Sequence, residues 1–171
     1  MKINKKLVAL SATFAIAAQF DTIAMADAAL GTVDATVVTP LKIIQATPMN
    51  FGTVAGGTTP GTIIMTATGS RSATGDAQFI GTDGQEGVFT ITGVTDASIS
   101  VSATDTTATL ESITGTGTDM PFTLTEPTYP TTITGGSVDV SFGGTLSIGA
   151  DQSAGSYSTA VDTFSIKVDY N

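Results

Sequence analysis

The sequence predicts an all-β protein, a single antiparallel β-sandwich following a cleaved signal peptide. Three observations carry that prediction. Apolar residues alternate in short runs, separated by Gly, Asp, Ser and Pro roughly every dozen residues, which is the rhythm of a sandwich or barrel. Thr, a β-former, is the most frequent residue, and helix formers with a 3.6-residue apolar period are missing beyond residue 26. Finally, the C-terminal segment Thr163-Phe164-Ser165-Ile166-Lys167-Val168-Asp169-Tyr170-Asn171 alternates throughout. In a strand, Phe164, Ile166, Val168 and Tyr170 fall on one face and Thr163, Ser165, Lys167 and Asp169 on the other.

Taken in order, the first element is the leader. Lys2, Lys5 and Lys6 precede an apolar stretch over 7–20, and Ala24-Met25-Ala26 supplies small residues for cleavage after Ala26. The apolar run is about 14 residues, short of the ~20 that a membrane-spanning helix needs. No later stretch is a transmembrane segment. Residues 27–171 then suit one β-sandwich domain.

Within it, 33–44 reads as an extended segment broken by Pro40, which cannot donate to a ladder. A strand over 62–68 leads into a polar loop over 69–76. Runs at 77–80 and 88–92 flank the Gly-rich loop 81–87 and predict a hairpin. Further strands are expected at 98–103, 107–113 and 120–125. Val138, Val140 and Phe142 share one face, and Leu146 with Ile148 resume after Gly143-Gly144. The terminal strand follows Gly155. Its inward row should be core, in a strand that either flanks an acceptor groove or pairs with residues 33–44.

Charge and composition narrow the function. Three of the six Lys and Arg residues and one of the 15 acids lie in the leader, so residues 27–171 keep Lys42, Arg71 and Lys167 against 14 carboxylates. Three scattered cations cannot neutralise a phosphate backbone, which excludes nucleic acid, and the same repulsion disfavours anionic lipid. Cys is absent, so stability must come from packing and backbone hydrogen bonds. A composition of 41% hydrophobic and 12% charged residues argues for folding over disorder.

Catalytic chemistry finds little to use. The lack of His and Cys removes the common nucleophile–base arrangements and zinc sites. No Gly cluster forms a phosphate-binding loop. The reading is therefore a non-enzyme with no cofactor. Asp83 and Glu86 are the candidates for a glycosidase pair, and with Asp76 they are the weak candidates for Ca²⁺. Solvated turn residues are the simpler explanation for all three. Arg71, the sole Arg, is expected to pair with a carboxylate, and Tyr129, between prolines, to anchor a loop rather than stack on a sugar. Short strands and sparse aromatics argue against a transmembrane barrel.

An ordered set of motifs spans nearly all of this domain. It comprises Val38-Thr39-Pro40-Leu41, Asn50-Phe51-Gly52, Gly69-Ser70-Arg71, Phe89-Thr90-Ile91-Thr92-Gly93, Gly143-Gly144-Thr145-Leu146-Ser147-Ile148-Gly149, Gly155-Ser156-Tyr157 and Val168-Asp169-Tyr170-Asn171. In these the chain resembles the bacterial domain of unknown function 4402 family. The resemblance implies an exported β-sandwich of Gram-negative bacteria and no reaction.

More distantly, the chain is similar to chaperone–usher pilin subunits, which implies an incomplete immunoglobulin-like sandwich completed by a neighbour's N-terminal strand. The penultimate Tyr170 fits that likeness; the missing disulfide and the long Gly155-to-Tyr170 spacing depart from it. Residues 27–38, with Val33, Ala35 and Val37 in alternation, are then either a donor segment or the sandwich's own first strand. The expected function is an exported structural protein, pilin-like or a surface-filament subunit, pairing strands with copies of itself or other surface subunits. A periplasmic chaperone and an usher would be its assembly partners, and the periplasm, cell surface or exterior its location. The alternative is a secreted or cell-surface adhesin-type module that binds a glycan or Ca²⁺. For assembly the candidate residues are Val33, Ala35, Val37, Phe164, Ile166, Val168 and Tyr170.

Overall fold

The alternation resolves into twelve β-strands in a computed structural model that describes residues 29–113, 116–125, 127–159 and 163–171. The leader lies outside the described residues. The chain divides into two compact units, Met1–Thr36 and Val37–Asn171. Of the first, residues 29–36 are described; they are exposed and carry no regular secondary structure.

The second unit contains β1 (Lys42–Thr47), β2 (Thr53–Ala55), β3 (Gly61–Met65), β4 (Arg71–Gly75), β5 (Gln78–Ile80) and β6 (Gly87–Thr92). It continues with β7 (Ile99–Asp105), β8 (Thr107–Ser112), β9 (Met120–Thr125), β10 (Ser137–Ile148), β11 (Tyr157–Ser158) and β12 (Ser165–Tyr170). Among the described residues there is no α-helix, only a 3-10 turn at Thr134–Gly136. None is in a helix long and apolar enough to cross a membrane.

One eight-stranded antiparallel sheet runs β1-β6-β10-β9-β8-β11, with β3 added to β10 and β4 to β3. Two-stranded sheets β12-β7 and β2-β5 complete the set. The long β10 organises everything. Residues 137–142 pair with β6, and residues 144–148 pair with β3 while 143–146 pair with β9. At the junction, a Cβ on Gly143 would sit 2.1 Å from the Met65 carbonyl oxygen, and one on Gly144 would sit 2.2 Å from the Phe122 ring. Only glycine fits where the strand crosses that closely.

Two cores follow. The first gathers Phe51, Ile63, Met65, Phe122, Leu124, Phe142 and Leu146 among others. In the second, Ile91 and Val140 of the large sheet meet Ile99 and Val101 of β7, with Ile133 beside them. The β12-β7 sheet thus lies face to face on the β1-β6-β10 region, and the fold is an antiparallel β-sandwich.

Several expectations are corrected. The segment 33–44 is a strand only from Lys42 onward, because Pro40 removes a ladder donor just before it. The polar loop at 69–76 is largely β4, an exposed edge strand pairing with β3. Its short polar side chains gave no apolar alternation to read, while the Thr66–Gly69 turn sets the register through the Gly69 amide and Thr66 carbonyl, 3.0 Å apart. The expected 77–80/88–92 hairpin does not form. β5 pairs with β2, and β6 pairs with β1 and β10. Gly143-Gly144 does not interrupt β10. The short β2 and β11 carry too few residues to show a pattern.

Candidate functional site

The terminal strand is pinned at both ends. Just before β12, Phe164 enters an aromatic cluster, its ring centroid 5.0 Å from Phe142, 5.6 Å from Phe122 and 6.1 Å from Phe89. Such offset and edge-on contacts favour the pairs beyond simple area burial. At the far end, the Val94 amide donates to the Tyr170 hydroxyl (2.8 Å), which itself donates to the Thr39 carbonyl (2.8 Å). A Cβ at Gly93 would lie 2.5 Å from that hydroxyl, so the Gly makes room for the phenol. The Asn171 amide donates to the Ser98 carbonyl, 3.1 Å away.

Between these pins, β12 has a covered side and an open side. It pairs with β7 from Ser165↔Asp105 to Tyr170↔Ile99. Residues 33–41 are not its partner, because they form no strand. Among the described residues no strand lies on its other edge. Ile166, Val168 and Tyr170 pack against the second core but stay half-buried, while Ser165, Lys167 and Asp169 are exposed. Phe164 belongs to the first core, so the row expected from alternation divides between the two cores.

Opposite β12, β1 is likewise an edge strand, paired among the described residues only with β6. Its Ile43 and the preceding Leu41 also pack, half-buried, on the second core. Leu41 and Tyr170 both border Gly93, which places the start of β1 beside the end of β12. The two sheets therefore present neighbouring free edges with apolar rows turned inward. Sequence reasoning found the β12 row and missed its counterpart at Leu41 and Ile43, whose signal was the apolar pair flanking Lys42.

The other candidates make local contacts. Among the described residues Arg71 pairs with no carboxylate; its guanidinium donates to the Asp83 and Gly81 carbonyls and lies 4.6 Å from the Phe79 ring centroid. Loop carbonyls left free by the turn at 81–84 satisfy it as well as an acid would. Asn50 Oδ1 accepts from the Gly52 amide (2.8 Å), and Asn50 bridges Gln85 through the backbone. Gly52, at φ +75°, lets the Asp83 carbonyl approach where a Cβ would be 2.1 Å away. The Asn50-Phe51-Gly52 and Gly69-Ser70-Arg71 motifs thus clamp the loop that carries Asp83 and Glu86.

Asp76 caps a different loop, accepting from the Thr59 amide (2.9 Å) and the Thr58 hydroxyl (3.5 Å). The Thr59 amide, then the Thr side chains, hold its carboxyl below the usual range. Among the described residues, no group of three or more acidic side chains is placed to hold a metal ion. Tyr129 packs on the second core, as a loop anchor would. A cleft of about 1060 Å³ lies over the first core, lined by Met49, Phe51, Val54, Leu110, Phe164 and others.

Comparison with curated proteins and with solved structures gives no match. The sequence model of one family matches residues 41–170, a span that runs from Leu41 to Tyr170 and so takes in both free edges. The chain belongs to that family, described as Domain of unknown function (DUF4402).

Proposed function

We propose that this chain is an exported, non-enzymatic structural protein, a pilin-like or surface-filament subunit that works by β-strand pairing. One observation carries the reading: β12 is pinned at both ends, yet one edge is open and its inward row is only half covered. An exposed strand edge is a template for another chain, and proteins without a use for one usually cover or blunt it. The leader over 1–26 would bring the chain to the periplasm. Copies of the chain or other surface subunits would pair with it there or at the cell surface, with a periplasmic chaperone guarding the edge and an usher completing export.

Size-exclusion chromatography of residues 27–171, with and without 27–38, tests this reading. Concentration-dependent oligomers that disappear on removal of 27–38 are expected. A folded chain that stays monomeric with the segment present would overturn it.

A second reading, an adhesin-type module for a glycan, draws support from the cleft of about 1060 Å³, where polar groups such as Asn50, Gln85, Gln152 and Tyr157 share the lining with apolar side chains. A blank glycan array would remove it.

A further inference from the structure

We infer that the cleft over the first core holds an uncharged amphiphile with a single acyl chain, a ligand class that neither strand pairing nor the glycan reading includes. Its volume, about 1060 Å³, lies at the top of the range of ligand pockets, ~300–1,000 Å³. Native interiors leave few voids larger than a water molecule. A space of this size is kept open for an occupant.

The floor selects an acyl chain. It is the inner face of the large sheet, from Leu146 and Ile148 of β10 through Met120 and Phe122 of β9 to Leu110 of β8. Leu146 stands opposite Phe122, and Leu110 opposite Met120. The five side chains therefore form an apolar strip across three strands, roughly 10 Å at ~4.8 Å between neighbours. A linear hydrocarbon follows such a strip, whereas a sugar laid on it would bury hydroxyls against groups that cannot hydrogen-bond them. Met120 in the strip and Met49 beside it are unbranched and flexible, so the floor can adjust to chains of different length.

The walls are fixed before anything binds. On one side, Asn50 and Gln85 exchange backbone hydrogen bonds of 3.0 and 2.8 Å, and the Gln85 side-chain amide donates to the Pro48 carbonyl (3.2 Å). On the other, the Asp151 amide donates to the Gly57 carbonyl (2.8 Å) and the Ile113 amide to the Ser156 carbonyl (2.9 Å). Between those two ties, the Gln152 side-chain amide donates to the Thr118 carbonyl and to the Tyr157 hydroxyl (2.9 Å). That hydroxyl donates in turn to the Ser153 carbonyl (2.7 Å). Walls held in this way cut the ordering cost of binding.

The same bonds restrict the head group. Asn50, Gln85, Gln152 and Tyr157 each commit part of their hydrogen-bonding capacity to the walls, which leaves a ligand a few neutral bonds. No Asp, Glu, Lys or Arg is among the described residues that line the cleft, although the chain carries 15 acids. A charged head would sit there without a counter-ion and lose its hydration. The head is therefore neutral and hydroxylated, as in a glycerol ester.

Fluorescence titration tests the assignment in the chain recovered from expressing cells and delipidated on a hydrophobic resin. The probe is N-phenylnaphthylamine, uncharged and bright in apolar sites. One probe should bind per chain, and monolauroylglycerol should displace it where glycerol and maltose do not. Val54→Trp, which fills the cleft from β2, and Met49→Glu, which puts a charge on its wall, should each weaken the probe by about tenfold or more. Both positions are half-buried, and a cooperative melt in either variant makes its result count. Ile113→Glu, at a side chain 66% exposed and outside the lining, should bind like the parent.

No saturable binding, no competition by monolauroylglycerol, or unchanged binding in a folded cleft variant overturns the assignment. Displacement by laurate as strong as by monolauroylglycerol overturns the neutral head. Displacement by maltose alone overturns the acyl chain and returns the cleft to a glycan. Oligomerisation enters none of these results, so failure of the strand-pairing reading would leave them standing.

Discussion

β9 and β12 carry the same sequence signal and meet different fates. Met120, Phe122 and Leu124 of β9 are 4–5% exposed, with exposed residues alternating between them. Ile166, Val168 and Tyr170 of β12 alternate as regularly and remain half-buried. The difference lies in neighbours: among the described residues β9 sits between β10 and β8, whereas β12 has β7 alone. Alternation decides which face a residue takes; the strands on either side decide how deeply that face is buried. A strand with one described neighbour keeps its alternating apolar row half-covered.

The contrast can be tested by substitution, largest effect first. Phe122→Ala should cost about 3–5 kcal/mol in urea unfolding, since the ring is buried against Phe51 and Phe164. Tyr170→Phe should cost about 1–3 kcal/mol, because the Val94 amide and Thr39 carbonyl lose their shared partner in a partly buried site. Val168→Ala should cost about 1 kcal/mol in the dispersed chain, given ~0.8 kcal/mol per fully buried methylene and only half-burial. A penalty at Val168 matching that at Phe122 would erase the distinction between the two strands.

The smallest effect concerns Asp76, whose contribution is electrostatic and exposed. Its carboxyl is held below the ordinary value in the fold, so its stabilisation is present above the unfolded value and lost as pH falls through the folded one. Thermal melts of Asp76→Asn should therefore lie below wild type near neutral pH, and the gap should close below about pH 4. A gap that persists in acid would show that the Thr58–Thr59 cap does not depend on charge.

Much of the sandwich was legible in the residues. The bounds of β9 agree with its alternation at both ends, and β6, β7, β8 and β12 lie within a residue or two of theirs. Edges were harder, for a physical reason. β4 is solvated on most of its length, so Ser72 and Thr74 carry no hydrophobic mark, and its pairing with β3 is set by the Thr66–Gly69 turn and by contacts such as the 2.7 Å bond between the Thr62 and Thr74 hydroxyls. Pairing partners were harder still. The runs at 77–80 and 88–92 are adjacent in sequence, yet Arg71 and Asn50 draw the intervening loop aside. Of the candidate site, the inward row of β12 could be read, while its open edge stood only as one of two alternatives, because a missing neighbour leaves no trace in the strand that lacks it.

Amide hydrogen exchange along β12 tests that open edge most directly. Alternate amides of residues 165–170 face away from β7, and in a chain that adds a strand there they become hydrogen-bonded. In the oligomeric chain these amides should exchange slowly, and in a Val33→Asp, Val37→Asp variant they should exchange fast while those bonded to β7 stay protected. Equally fast exchange of the outward amides in both would contradict the account.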